Sequence, residues 1–421
     1  MTVGDPGALV PLAVVVLVFL AIAVRQVGRY TLRIWQIMLA GAVAVLITGS
    51  ISPSRALASV SMDVMLFLFG MFLVGEALQA SGYLSHLAHR LFSRATTYDR
   101  LLLLLTVSFG LLSALLMNDT LAIVGTPLVI AVARRNGIPA RVLLLALAFA
   151  VTTGSVLSPI GNPQNLLIAV EGPVANPFVT FLIALAVPTL LCLLLCYGIL
   201  RWLYPGEFVH RACSVDAGAI TDPALARLSR LSLGLILLLI GILVATSTLG
   251  VPLGLSLPHI ALLAALPLLL GSPRRWELVK RVDWPTLVFF ASMFVLMESV
   301  WTTGFFQDLV GLAGPSLSRT GVILLLGITL PQFLSNVPFV ALVLPLMAGQ
   351  GGSPAPLLAL AAGSTIAGNL SILGAASNVI IIQNAERQGE TLTFRDFLRA
   401  GVPLTILQAG VYWVFLSVFS G

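Results

Sequence analysis

Amide and hydroxyl side chains cluster at four points where apolar segments of this chain are interrupted. Two of these points are breaks inside long apolar runs, SPIGNPQN starting at Ser158 and GNLSILGAASN starting at Gly368. The other two are the short sequences MNDT, starting at Met117, and LSNVP, starting at Leu334. Amides and hydroxyls donate and accept hydrogen bonds, and none of the four motifs contains Arg or Lys. This chemistry is suited to binding a small polar solute with several oxygens.

The candidate substrate-binding residues are the polar side chains of these motifs and their neighbours. They are Asn118, Thr120, Thr153, Ser155, Asn162, Asn165, Asn336, Asn369, Ser371, Ser377 and Asn378. The alternative for each Asn is a structural role, because an Asn at a helix break also caps free backbone groups.

Three carboxylates within apolar segments are candidates for coupling to an ion gradient. Asp119 is the first, because an ionisable side chain at membrane depth is costly and is usually functional. Its alternative is a neutral, protonated cap. Glu76 and Glu298 are weaker candidates, since either carboxylate could lie near the membrane surface.

The composition identifies an integral membrane protein. Of the 421 residues, 58% are hydrophobic and 9% are charged, which excludes an ordinary soluble domain. The apolar runs are long enough to cross a hydrocarbon core of roughly 30 Å as helices. The net charge of +6 comes from short loops between these runs, so it indicates topology and no nucleic-acid partner. No paired-Asp, Ser-Lys or HExxH arrangement lies at membrane depth, so we expect no enzyme, no metal site and no cofactor.

The predicted fold is an all-α polytopic membrane protein with ten spans and two re-entrant hairpins. The spans are expected near 8–24, 34–51, 62–80, 140–170, 178–203, 229–248, 256–271, 285–303, 355–385 and 396–419. The hairpins are expected at 101–133 and 320–348. With this topology, all of the 22 Lys and Arg residues except Arg55 and Arg319 fall on one side, which the positive-inside rule makes cytoplasmic. Both termini are then predicted to lie outside.

The second half of the chain repeats the first. DVMLFLFGMFLVGEALQASG resembles DWPTLVFFASMFVLMESVWTTG, so Glu76 recurs as Glu298. The later segments pair Asn118 with Asn336, Pro127 with Pro345, Gly161 with Gly374 and Asn165 with Asn378, and the last pair NPFVTFLIALAVP with LTFRDFLRAGVP. Each copy has about five spans, one hairpin and one broken helix, and an odd number of spans inverts the second copy. The predicted units are therefore 1–203, a cytoplasmic linker 204–228, and 229–421, with broken helices at 140–170 and 355–385.

The breaks indicate a cavity near the middle of the membrane. Lipid cannot satisfy bare backbone amides and carbonyls, so irregular backbone at that depth occurs inside protein or beside water. A break also exposes the N-terminus of the following half-helix, whose N–H groups favour anions and acceptor oxygens. Secondary transporters with inverted repeats bind their substrates at such points.

At these motifs the sequence resembles the ion transporter superfamily, and within it the arsenite-permease and sodium/proton-antiporter branch, the ArsB/NhaD family. The residues responsible are MNDT…GTP, SPIGNPQN, SNVP…LP and GNLSILGAASN, and the likeness spans nearly the whole chain. The resemblance implies fixed scaffold helices, mobile hairpins and broken helices, and elevator-like alternating access. The related dicarboxylate/sodium symporters carry Ser-Asn-Thr at both hairpin tips, whereas the tips here read Met-Asn-Asp-Thr and Ser-Asn-Val.

The resemblance implies an exporter of arsenite or antimonite that works by proton antiport. One alternative is a sodium- or proton-coupled transporter of a small anion, such as a dicarboxylate, phosphate, sulfate or silicate, and another is a Na⁺/H⁺ antiporter. The energy source is an ion gradient, and the expected location is a bacterial or archaeal plasma membrane. Some arsenite permeases work with a soluble arsenite-stimulated ATPase, and the sequence does not decide on that partner or between a monomer and a homodimer.

Overall fold

The computed structural model describes residues 6–24, 26–27, 30–31, 33–207, 220–251, 253–305, 319–348 and 353–419. In this part of the chain nearly all regular structure is helical, as the sequence predicts. The exception is a short antiparallel ladder between β1 (Gln26–Val27) and β2 (Tyr30–Thr31).

The first half contains ten α-helices among its described residues. They are α1 (Pro6–Val24), α2 (Ile34–Ile47), α3 (Pro53–Ser59), α4 (Met62–Ala80), α5 (Tyr83–Phe92), α6 (Tyr98–Leu116), α7 (Asn118–Arg135), α8 (Ala140–Ser155), α9 (Pro163–Glu171) and α10 (Pro177–Leu203). The 3-10 turn Pro205–Glu207 follows α10.

The second half of the chain has its first described helix from Pro223, so the last residues of the predicted linker are helical, while 208–219 lie outside the described residues. Its α-helices are α11 (Pro223–Thr248), α12 (Leu257–Gly271), α13 (Arg275–Arg281), α14 (Trp284–Trp301), α15 (Thr320–Thr329), α16 (Pro331–Leu334), α17 (Asn336–Ala348), α18 (Ala355–Leu370), α19 (Ala376–Arg387) and α20 (Phe394–Phe419). The 3-10 turn Ile372–Gly374 connects α18 to α19.

Six of the described helices are long and apolar enough to cross a membrane, judged by length and composition. They are α4, α6, α10, α11, α14 and α20. The halves of the two broken helices are shorter, because α8 ends at Ser155 and α18 ends at Leu370, before the polar breaks.

The helices pack in two groups. In the flanking bundle, α4 packs against α11 and α12, and α2 packs against α1 and α14. In the hairpin bundle, α6, α7 and α10 pack on α8, while α15 and α20 pack on α18. The four motifs that interrupt the apolar segments all belong to the hairpin bundle, so the structure separates the polar breaks from a largely apolar flank.

Two ion pairs connect the repeated segments of the flanking bundle reciprocally. Arg55 on α3 donates from Nε to Glu298 on α14 at 2.8 Å, and Arg281 on α13 lies 3.7 Å from Glu76 on α4. Each short helix that precedes a long flanking helix thus supplies an Arg to the other half. The structure therefore gives both weaker coupling candidates, Glu76 and Glu298, an arginine partner.

Reversing one charge of the shorter pair should destabilise the protein, and reversing both should restore it. Glu298→Arg places two cations together, and we expect a loss of about 1 kcal/mol, the scale of a partly exposed ion pair. The double variant Arg55→Glu/Glu298→Arg rebuilds the pair with opposite polarity. Thermal unfolding in detergent measures the interaction as a double-mutant cycle. A double variant no more stable than the sum of its two single changes would contradict this assignment.

Candidate solute site at the helix breaks

The first break is held together by two asparagine side chains. Asn162 precedes α9, and its Oδ1 accepts a hydrogen bond from the backbone N–H of Asn165 at 2.9 Å, which caps the helix. Asn165 donates from Nδ2 to the carbonyls of Ser155 and Ser158, both at 3.1 Å. Gly161 is required between them, because a Cβ at this position would lie 2.3 Å from the Ser155 carbonyl oxygen. The unpaired carbonyls at the end of α8 are therefore satisfied by side chains from the start of α9.

The second break repeats part of this arrangement 213 residues later. Asn378 donates from Nδ2 to the carbonyl of Gly368 at 2.6 Å and to that of Ser371 at 3.5 Å. Gly374 is required for the same reason as Gly161, since its Cβ would lie 2.3 Å from the Ala367 carbonyl oxygen. The helix that follows, α19, differs from α9 because it has Ala375 at its N-cap and no side chain caps it.

Side chains from the two breaks bind each other across the centre of the hairpin bundle. Thr365 on α18 accepts from Asn162 Nδ2 at 3.1 Å and donates to Asn165 Oδ1 at 3.3 Å. In the other direction, Asn369 on α18 donates to Thr153 Oγ1 on α8 at 2.9 Å. The two halves of the chain therefore meet through buried polar contacts at the breaks.

The hairpin tips lie against these breaks. Met117 and Ser335 each precede a tip Asn, and both have a positive φ, 63° and 68°, that reverses the chain between two helices. At the first tip, the backbone N–H of Asn118 donates to the Gly161 carbonyl at 3.0 Å. The second tip is joined to its break by Gln332.

Gln332 was not among the predicted site residues, and it binds both sides of the second break. Its Nε2 donates to the Ala367 carbonyl at 2.8 Å, and its Oε1 accepts from Ser371 Oγ at 2.7 Å. Gln408 on α20 is a second such residue, because its Nε2 donates to Thr153 Oγ1 at 2.9 Å and its Oε1 accepts from Asn369. An amide within an apolar segment is the signal that could have identified both residues.

Four helices begin at these motifs, and they pack in two pairs. α7 begins at Asn118 and packs along α19, and α17 begins at Asn336 and packs along α9. The N-terminal end of each helix carries free N–H groups and a partial positive charge. The breaks therefore bring four helix N-termini into one region, and the described hydrogen bonds of the residues there include no Arg or Lys.

Several buried polar atoms in this region have no hydrogen-bond partner among the described residues. They are the Oδ1 atoms of Asn118, Asn336, Asn369 and Asn378 and the hydroxyls of Thr152 and Ser377. The exposed fraction of these side chains is between 0% and 7%. Because an unpartnered buried polar atom costs about 1–3 kcal/mol, this set is a candidate ligand site.

Three of the remaining predicted residues are Ser155, which makes structural contacts, and Thr120 and Asp119, which lie at the first hairpin tip. Ser155 Oγ donates to the Thr152 carbonyl at 2.8 Å and accepts from Asn162, so its hydroxyl is used internally. Thr120 is buried against α4, where a Cβ on Gly75 would lie 3.0 Å from Thr120 Oγ1. Asp119 is half-buried between Asn118 and Thr120 at the start of α7.

A cavity of about 500 Å³ lies between the two bundles. Its lining includes Glu298 and Asp63 from the flanking bundle and Glu171, Leu167 and Pro345 from the hairpin bundle. None of the predicted substrate-binding residues lines it. Within the described residues, the amides are therefore enclosed and this open space lies beside them along α9 and α17. No group of three or more His, Cys, Asp or Glu suited to a metal ion occurs in the same described part of the chain.

Comparison with known proteins identifies the family. A sequence profile described as "CitMHS: Citrate transporter" matches residues 15–357. An uncharacterized transporter of Mycobacterium tuberculosis is 30% identical, covering 90% of this chain and 92% of its own length. A silicon efflux transporter of Oryza sativa subsp. japonica is 28% identical, covering 89% of this chain and 90% of its own.

A solved structure has a similar fold. It is the YdaH transporter of Alcanivorax borkumensis, described as having an unusual topology, with a TM-score of 0.59 and 18% identity over 98% of both chains. The profile match covers more than half of this chain, and the described helices include six that are able to span a membrane. The protein therefore belongs to the CitMHS citrate transporter family and is a secondary membrane transporter.

Proposed function

We propose that this transporter exports a small, uncharged inorganic acid whose oxygens are hydroxyl groups, here called a hydroxide acid. Arsenous, antimonous and silicic acids are the representatives of this class. The observation that carries the proposal is the pair of buried, unpartnered amide oxygens of Asn369 and Asn378. The Nδ2 group of Asn369 already donates to Thr153 and Gln408, and that of Asn378 donates to Gly368. The atoms left free are therefore acceptors.

Free acceptor oxygens require a ligand that donates hydrogen bonds. Arsenous and silicic acids are uncharged at neutral pH, and each of their hydroxyls both donates and accepts. A fully ionised carboxylate anion has only acceptor oxygens, which cannot hydrogen-bond to the free amide oxygens of the site. The described hydrogen bonds of the site residues also include no Arg or Lys to offset its charge. The similarity to a silicon efflux transporter supports the same class of solute.

A second candidate is a small organic anion such as citrate. The description of the family favours it, and so do the four helix N-termini at the breaks, since such ends bind anionic oxygens. A bound cation would have to accompany such an anion, because the unpartnered amide oxygens repel it.

The architecture of the proposed transport cycle is an inverted repeat with elevator-like alternating access. Three correspondences between the halves support it: the matching positive φ of Met117 and Ser335, the equivalent bonds of Asn165 and Asn378, and the reciprocal pairing of Glu76 and Glu298. In this proposal the flanking bundle is fixed and the hairpin bundle moves. The protein lies in a bacterial or archaeal plasma membrane with both termini outside, as a monomer or homodimer, and an ATPase partner is not needed for gradient-driven export.

Transport into inside-out proteoliposomes tests the choice of solute. Purified protein is given arsenite, antimonite, orthosilicic acid or citrate, with a proton gradient, a sodium gradient or neither. We expect uptake of at least one hydroxide acid that depends on the proton gradient and stops with a protonophore. Sodium-dependent citrate uptake without any hydroxide-acid uptake would instead support the second candidate.

Asp119→Asn should uncouple transport from the proton gradient. The substitution keeps the size of the half-buried side chain at the hairpin tip but removes its titratable proton. We expect gradient-driven accumulation to fall by about tenfold or more, while downhill flux of the same solute persists. Glu386→Gln changes an exposed carboxylate on α19 and is the matched control. Equal gradient-driven accumulation in the Asp119→Asn variant and the wild type would exclude Asp119 as the coupling group.

A further inference from the structure

The two helix breaks share one hydrogen-bonding frame. When 213 is added to the residue numbers, Asn165, Ser155 and Ser158 become Asn378, Gly368 and Ser371. The same side chain donates to the same two carbonyls in both breaks. Because the two breaks have the same arrangement, residues at other equivalent positions can be compared directly.

The largest such difference is at the N-cap, where Asn162 in the first break corresponds to Ala375 in the second. The backbone has the same extended conformation at both, with φ of −155° and −146°. Asn162 accepts the N–H of Asn165 and donates to Thr365 Oγ1. The Ala375 side chain has no polar atom to do either.

Two buried hydroxyls at the second break have no partner among the described residues. Thr152 is equivalent to Thr365 in the same numbering, and its hydroxyl is 1% exposed and has no partner among the described residues. Ser377, in the first turn of the uncapped α19, is 0% exposed and its hydroxyl is also unpartnered. Thr152 lies beside this break, because its Cγ2 is 3.1 Å from the Cβ position on Gly368.

From this contrast we infer that the two breaks have different roles and that Ala375 determines the difference. The first break is closed by its own side chains and positions the helices. At the second break an oxygen of the substrate takes the role that the Asn162 amide has at the first, bound by the Thr152 and Ser377 hydroxyls and the first-turn N–H groups of α19. This inference rests on the proposed function, because a neutral hydroxide acid supplies an oxygen that can both accept and donate at this point.

The equivalent threonines provide a matched pair of variants. Thr152→Val removes a hydroxyl assigned to the substrate, so KM for arsenite or orthosilicic acid should rise by about tenfold with an unchanged Tm. Thr365→Val removes a hydroxyl that three side chains of the first break contact, Asn162, Gln164 and Asn165. Its Tm should fall, with KM within about twofold of the wild type. The opposite pattern would overturn the division of roles.

Ala375→Asn supplies the cap that the second break lacks. Its amide should accept from the first turn of α19 and donate to Thr152, because Asn162 makes the equivalent bonds at the first break. We expect an unchanged or higher Tm and a loss of arsenite and silicate binding of about tenfold or more. Ala375→Val, of similar size without the amide, shows whether bulk alone has this effect, and an equal loss of binding in both variants would count against the capping argument.

The outcomes separate the inference from the proposed function. Wild-type protein that binds and transports none of the hydroxide acids would remove the proposed function. Wild-type protein that transports them, with Thr152→Val and Ala375→Asn both unchanged in KM, would leave that function in place and overturn the assignment of the second break.

Discussion

Asn165→Ala should yield little folded protein, although the substitution removes no charge and a small volume. Asn165 is fully buried, and its amide donates to the carbonyls of Ser155 and Ser158 while its Oδ1 accepts from Thr365. Alanine removes all three bonds, although the Ser155 carbonyl keeps a 3.4 Å bond from Asn162 Nδ2 and the Ser158 carbonyl keeps a 3.2 Å bond from the backbone N–H of Gly161. Each lost buried hydrogen bond costs about 1 kcal/mol or more, so the three losses together are a large fraction of the stability of a typical domain.

The folded yield and Tm in detergent, followed by fluorescence-detected gel filtration, measure this effect. Gln383→Ala is the control, since it removes an exposed amide from α19 and surface substitutions change stability by less than about 0.5 kcal/mol. Asn165→Ala protein with a wild-type Tm would show that water or a rearranged backbone satisfies these carbonyls, and the Asn165 amide would then not be what holds the first break together.

Hydropathy alone gives most of the long helices of this fold. The predicted span 62–80 coincides with α4, and the two interrupted segments break where Pro, Gly and Asn interrupt the apolar runs. The short helices α3 and α13 are missed, because each has seven residues and charged side chains that give no membrane-spanning signal. Their importance comes from Arg55 and Arg281, whose partners lie on the other half of the chain.

The residue types at the candidate site are also apparent from the sequence, but their roles are not. Asn165 and Asn378 have the same side chain at equivalent positions, yet the amide oxygen of Asn165 accepts a hydrogen bond from Thr365 and that of Asn378 has no partner among the described residues. That difference depends on contacts with residues about two hundred positions away, such as Thr365, which no local pattern encodes. Extending the alignment of the two breaks backwards by six residues would have paired Thr152 with Thr365 and indicated both threonines.

Of the Gly→Ala substitutions in the hairpin bundle, Gly154→Ala should reduce the stability of the protein most. A Cβ at Gly154 on α8 would lie 2.0 Å from the carbonyl oxygen of Gly110 on α6. Both atoms belong to packed helices, so no side-chain rotation relieves the overlap and the two helices must separate. Overpacking a core with movable side chains costs about 1–3 kcal/mol, and an overlap with backbone should cost more than this. Because α6 leads directly to the tip at Asn118, we also expect loss of transport in any protein that still folds.

Two other Gly→Ala variants serve as controls, which show whether the loss of stability comes from the overlap with backbone. A Cβ at Gly110 meets the flexible end of Leu193 at 2.5 Å, so Gly110→Ala should lower Tm less than Gly154→Ala does. A Cβ at Gly234 in α11 has no atom within 4 Å, and Gly234→Ala should raise stability by about 0.5–1 kcal/mol through its higher helix propensity. Thermal unfolding should therefore rank the variants Gly234→Ala, wild type, Gly110→Ala and Gly154→Ala from most to least stable. If Gly154→Ala unfolded at the temperature of Gly110→Ala, the close approach of α6 and α8 would not be what fixes the first hairpin on its broken helix.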